Sequence, residues 1–171
     1  FISLEERTAL ANTNNADLFI SLHLNAHPSA KVRGIETYFL NLTTNAEAMR
    51  VAARENATST HQMSELQDIL ADIMKNSKID ESSRLAQQVH NSIITKDDKK
   101  SSVDIKNLGV KQAPFYVLIG AQMPAILIEL AFLTNDKDVE NLKSPGFLES
   151  ICREIAEGVR SYINDTSAQL R

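Results

Sequence analysis

Apolar residues along this chain fall into two rhythms, and the alternation between them sets out the elements. Ser3 followed by Glu6 has the spacing of a capping box, so a helix is expected from about Leu4 to Asn12. The run Ala16–His23 is short, apolar and bounded by turn residues, which suits a buried strand with His23 at its C-terminal end. After Gly34, the β-branched and aromatic residues of Ile35–Leu40 favour a second strand. Alanine-rich sequence from about Asn45 to Asn56 favours helix, as do Leu66, Ile69, Leu70 and Ile73 within Glu65–Met74. A further helix is expected to start near Ser82 or Ser83 and to carry Leu85, Val89 and Ile93. Beyond the polar stretch Thr95–Asp104, the runs Phe115–Ile119 and Ala125–Leu130 both read as strands. A last helix over about Phe147–Ile163 precedes a polar tail, Asn164–Arg171, expected to fray.

Strands that are apolar throughout, rather than at alternate positions, are buried on both faces, as in a parallel sheet covered by helices. The pattern therefore predicts an α/β fold: a mostly parallel twisted sheet flanked by helices in three layers. With 171 residues, 43% of them hydrophobic, the chain suits one domain with a substantial core. Its formal charge of −4, the mixed signs of Lys96-Asp97-Asp98-Lys99-Lys100 and the absence of tryptophan argue against a nucleic-acid surface. No apolar run approaches the ~18 residues of a membrane span. The single cysteine, Cys152, excludes an intramolecular disulfide or a cysteine zinc cluster, and it reads as a small buried residue of the last helix. Phe1-Ile2 is neither an initiator methionine nor a signal peptide, and Ser3 opens a helix at once, so residues upstream are expected.

Two polar residues stand out against this pattern. Glu129 follows four apolar strand residues and precedes Leu130-Ala131-Phe132, where burying a carboxylate without compensation is costly. It is either a strand-end residue paired with a lysine or backbone donors, or a catalytic carboxylate beside a metal. His23, at a strand's carboxyl end, is either a metal ligand or a satisfied structural histidine. His27 precedes Pro28 in a loop, His61 lies in a polar segment and His90 falls on an expected helix surface, which makes them weaker candidates. No HExxH, paired CxxC, GxSxG or phosphate-cradling glycine loop is present.

Three segments, Phe1–Asn12, Ala16–Ala26 and Pro124–Asn135, together with Gly34–Leu40 and Gly109–Leu118, resemble the zinc-dependent N-acetylmuramoyl-L-alanine amidases that cut peptidoglycan. The resemblance implies a Zn2+ ion held by two histidines and a glutamate, with a coordination position left open. By position His23 matches the second histidine and Glu129 the catalytic glutamate, while Asn25 is expected to help shape the site. The family's first zinc histidine and its glutamate ligand belong upstream of the segment matching Phe1. This polypeptide alone is therefore expected to bind zinc poorly and to be inactive. Residues 1–163 would then be part of a catalytic domain, and 164–171 a tail.

More residues separate the Tyr38 strand from the Leu85 helix than a minimal amidase of this family needs. This helical insert, about residues 42–81, resembles that of the division-associated periplasmic amidases, where a helix blocks the zinc site until a degenerate LytM-type activator displaces it. Arg54-Glu55-Asn56-Ala57 resembles the stretch that supplies the blocking glutamate, which makes Glu55 the candidate occluding ligand; an ordinary exposed helix residue is the other reading. The stripe Leu66, Ile69, Leu70 and Ile73 would be core or a partner-docking face. A periplasmic location is implied by resemblance alone. The alternative function is a non-catalytic amidase-like module that binds peptidoglycan or a divisome partner.

Overall fold

The computed structural model describes residues 2–63, 78–100 and 105–169. The elements in chain order are α1 (Leu4–Thr13), β1 (Phe19–Asn25), β2 (Ile35–Leu40), α2 (Ala46–Glu55), α3 (Ile79–Lys100), β3 (Asn107–Ala113), β4 (Ala125–Phe132), α4 (Asp136–Leu142) and α5 (Pro145–Gln169). Four strands form one sheet in the order β1-β4-β2-β3. Phe19 N donates to Pro124 O and Leu133 N to Asn25 O, so β1 and β4 advance together and are parallel. Ile35 N to Lys106 O and Asn41 N to Ala113 O show the same for β2 and β3. The chain is thus α/β, with a mostly parallel sheet flanked by helices. No helix among the described residues is long and apolar enough to cross a membrane.

The start of α1 follows the local chemistry read from the sequence. Ser3 and Glu6 make the reciprocal capping box, with Ser3 N donating to Glu6 Oε2 at 2.8 Å and Glu6 N to Ser3 Oγ at 3.3 Å. Asn45 caps α2 by accepting from Ala48 N, and Asn56 ends it. Within the expected insert a further helical turn opens at Thr60. The Glu65–Met74 helix and its apolar stripe lie outside the described residues.

Packing groups the chain into two compact units: Phe1–Ser21, Tyr38–Ser83 and Lys111–Leu127 in one, Leu22–Thr37, Arg84–Val110 and Ile128–Arg171 in the other. The first unit has a core of Tyr38, Leu40, Val51, Ala52, Met63, Phe115, Val117, Leu118 and Leu127. There Asn56 is buried and reads the Pro114–Leu118 segment with both ends of its amide, Nδ2 donating to Pro114 O and Oδ1 accepting from Tyr116 N. In the second unit α3 and α5 approach closely at Gly158, where a Cβ would strike the Val89 backbone. Gly34, at φ +117°, leads into β2 where a side chain would collide with Lys106 O. Asp138 Oδ2 accepts from both Gly34 N and Phe132 N at 2.8 Å.

Several expectations are corrected. Phe115–Ile119 is not a strand: Tyr116–Leu118 forms a 3-10 turn, and the strand is Asn107–Ala113, a segment only weakly apolar. Phe115, Val117 and Leu118 are apolar because they fill the core, and burial alone does not distinguish a turn from a strand. α5 runs on through Gln169 instead of ending at Ile163, since no proline or glycine follows Ile163 in the helix and Asp165 accepts from Gln88 Nε2 at 2.6 Å. Cys152 is exposed: the buried positions of α5 are 147, 151, 154, 158 and 162, and 152 falls beside that stripe. β1 extends two residues past His23.

Candidate metal centre

β1 presents Ser21, His23 and Asn25 on one face while Leu22 and Leu24 are exposed on the other, as strand alternation requires. β4 is its neighbour in the sheet and carries Glu129. Glu129 is fully buried, and both of its carboxylate oxygens are sealed from solvent. His23 is partly buried. Both residues belong to the second compact unit, and a ligand atom of His23 lies within 4.8 Å of one of Glu129. Glu55 is the last residue of α2, half-buried, with Arg54 Nε 3.7 Å from its Oε1.

Such a donor set fits zinc. Imidazole nitrogen and carboxylate oxygen are ligands that zinc accepts readily, and a cation offsets the cost of desolvating a carboxylate. Tetrahedral ligands at 2.0–2.1 Å from an ion lie about 3.4 Å from one another, inside the observed limit. The other histidines serve elsewhere. His27 Nδ1 accepts from Ser29 N at 2.9 Å within its loop, and His61 is exposed.

His90, expected on a helix surface, is buried instead. Its Nε2 lies 2.8 Å from Asn107 Oδ1, which also accepts from Gly109 N, so Nε2 carries the proton. Nδ1, 3.0 Å from Thr37 Oγ1, then accepts from that hydroxyl. His90 falls in the buried stripe of α3 with Ser82, Leu85, Ala86, Val89 and Ile93, which is why it needs partners.

Two residues beside the centre escaped notice or emphasis in the sequence. Asn25 is fully buried and donates through Nδ2 to Oε1 of Glu36 at 2.7 Å, and Glu36 is itself 2% exposed. The signal for Glu36 was the one that revealed Glu129, an acid inside a β-branched and aromatic run, Ile35-Glu36-Thr37-Tyr38.

Comparison with known proteins places the chain among relatives. The family model described as N-acetylmuramoyl-L-alanine amidase matches residues 1–161. The amidase LytC of Bacillus subtilis is 31% identical over 162 residues, covering 95% of this chain and 25% of LytC. Amidase AmiA of Escherichia coli is 29% identical over 173 residues, covering 96% of this chain and 58% of AmiA. Among solved structures, an N-acetylmuramoyl-L-alanine amidase from Clostridium difficile 630 superposes with a TM-score of 0.67 at 28% identity, over 96% of this chain and 67% of that one. The chain spans less than two thirds of the length of either of these curated relatives. A match over nearly every residue, on the same fold, places this chain in the N-acetylmuramoyl-L-alanine amidase family.

Proposed function

We propose that the protein hydrolyses peptidoglycan at the amide joining the lactyl group of N-acetylmuramic acid to L-alanine of the stem peptide, with zinc as cofactor. The observation that carries this reading is the pairing of His23 on β1 with Glu129 on β4, ligand atoms within 4.8 Å of one another, in a chain of the amidase family. A zinc ion held there supplies Lewis acidity toward water and the amide carbonyl. His23 contributes a nitrogen ligand from the strand face. Glu129 takes the proton of the attacking water on a carboxylate oxygen and returns it to the departing amine nitrogen, as the new C–O bond replaces the C–N bond. Its buried setting excludes bulk water from that proton transfer.

Glu55 supplies regulation in this reading. A carboxylate at the position that water requires holds the site inactive until α2 and the insert around it are displaced. A LytM-type activator for that displacement, a periplasmic location and a role in daughter-cell separation are proposed with it. They are supported by the insert's resemblance to division-associated amidases and by similarity to AmiA along 96% of the chain.

The test is peptidoglycan dye release by the native full-length protein with and without zinc. Glu129→Gln should abolish cleavage while leaving the fold intact, and Glu55→Ala should raise activity in the absence of any activator. A folded wild-type protein that binds no zinc and cleaves nothing, even as Glu55→Ala, would favour the non-catalytic peptidoglycan-binding module.

A further inference from the structure

We infer that Glu36, acting through Asn25, is a positioning residue for the His23–Glu129 pair; the inference rests on the zinc-site reading of that pair. β1 and β2 are not neighbours, because β4 lies between them. Two strand spacings separate them, about 10 Å, and the Asn25–Glu36 hydrogen bond of 2.7 Å closes that distance over the intervening strand. Both side chains are sealed, at 0% and 2% exposure. A buried carboxyl and a buried amide placed two strands apart are costly to desolvate, so their bond has to be made.

Asn25 is then held at three points. Its Nδ2 reaches Glu36 on β2, its main-chain oxygen accepts from Leu133 N just past β4 at 2.8 Å, and its Oδ1 accepts from Ala26 N at 2.7 Å. These partners also fix the amide's orientation, since a flipped side chain would set its NH2 against Ala26 N. β1 ends at this residue. His23 is two residues back on the same face, so a clamp on Asn25 fixes how far β1 can slide or roll against β4, where Glu129 stands. Outer partners of this kind set ligand geometry without touching the ion.

Zinc affinity of the native full-length protein, measured by competition with a chelating dye, tests the inference alongside the ring resonances of His23 in the zinc-free protein and the melting temperature. Glu36→Ala should lose roughly 10- to 100-fold in zinc affinity and shift the His23 resonances, at temperatures where the protein remains folded. Glu36→Gln keeps an oxygen that can accept from Asn25 Nδ2 and should restore most of the loss. Glu36→Asp, one methylene too short to reach, covers the case in which the alanine variant does not fold and should be impaired in the same way. Wild-type zinc affinity and unmoved His23 resonances in folded Glu36→Ala or Glu36→Asp would overturn the positioning role. So would a Glu36→Gln protein as impaired as the alanine variant. A wild-type protein that binds no zinc would instead sink the amidase reading, and the His23 resonances would still report on the clamp.

Discussion

Gly158 and Gly146 lie on the same helix, α5, and an alanine at each should have opposite effects. At Gly158 an added Cβ meets the Val89 Cα, with Gln88 O and Val89 N each 3.0 Å away. All three atoms belong to the α3 backbone, so no side chain can rotate aside and the two helices must part. Normal carbon contacts lie near 3.5–4.0 Å, which sets the required shift on the order of 1 Å. Overpacking a close helix seam costs up to about 3 kcal/mol, and replacing glycine by alanine inside a helix returns about 1 kcal/mol. The net loss is about 2 kcal/mol, or roughly 4–8 °C in melting temperature for a chain of this size. At Gly146 the nearest neighbour of an added Cβ is Ser144 Oγ at 3.9 Å, an ordinary contact at an exposed position. There only the propensity gain remains, so Gly146→Ala should match or slightly exceed the wild type. Thermal unfolding followed by circular dichroism decides the matter. A Gly158→Ala protein that melts at or above the wild-type temperature would refute the close-approach argument.

Two further stability predictions use other parts of the molecule. Asn56→Ala removes both amide contacts to the Pro114–Leu118 segment and should cost about 1–3 kcal/mol in urea denaturation; an unchanged midpoint would show that the segment holds itself. The capping-box hydrogen bonds from Ser3, the backbone bond first, hold the Glu6 carboxyl below its ordinary value of 4.5. A lowered folded pKa means that its stabilisation is present above the unfolded value and is lost as pH falls through the folded one. The stability gap between wild type and Glu6→Gln should therefore shrink as pH is taken from roughly 5 to 3, and a gap independent of pH would exclude the cap as its source.

Local chemistry made much of the secondary structure legible. The Ser3–Glu6 box, the alanine-rich run between Asn45 and Asn56 and the β-branched run Ile35–Leu40 specify their elements through local preference, and the structure has helix and strand there. Glu129 was visible for a related reason, because an acid amid strand apolars violates the local pattern. Family resemblance, not periodicity, supplied the roles of His23, Glu55 and Glu129.

What the sequence by itself determined, then, was the class of fold, most element positions and the identity of the residues with something to explain. Tertiary structure decided the rest, because those features depend on partners far away in the chain. Phe115–Ile119 and a core strand share the same apolar composition, and only the packing of the segment against Asn56 and α1 makes it a turn. Whether His90 faces water or Thr37 depends on where α3 lands, and Cys152 is exposed because its helix is rotated to bury the stripe next to it. The Asn25–Glu36 bond joins residues 11 apart in sequence but two strands apart in the sheet. Strand order is set by the sum of long-range packing, and no local window of sequence contains it.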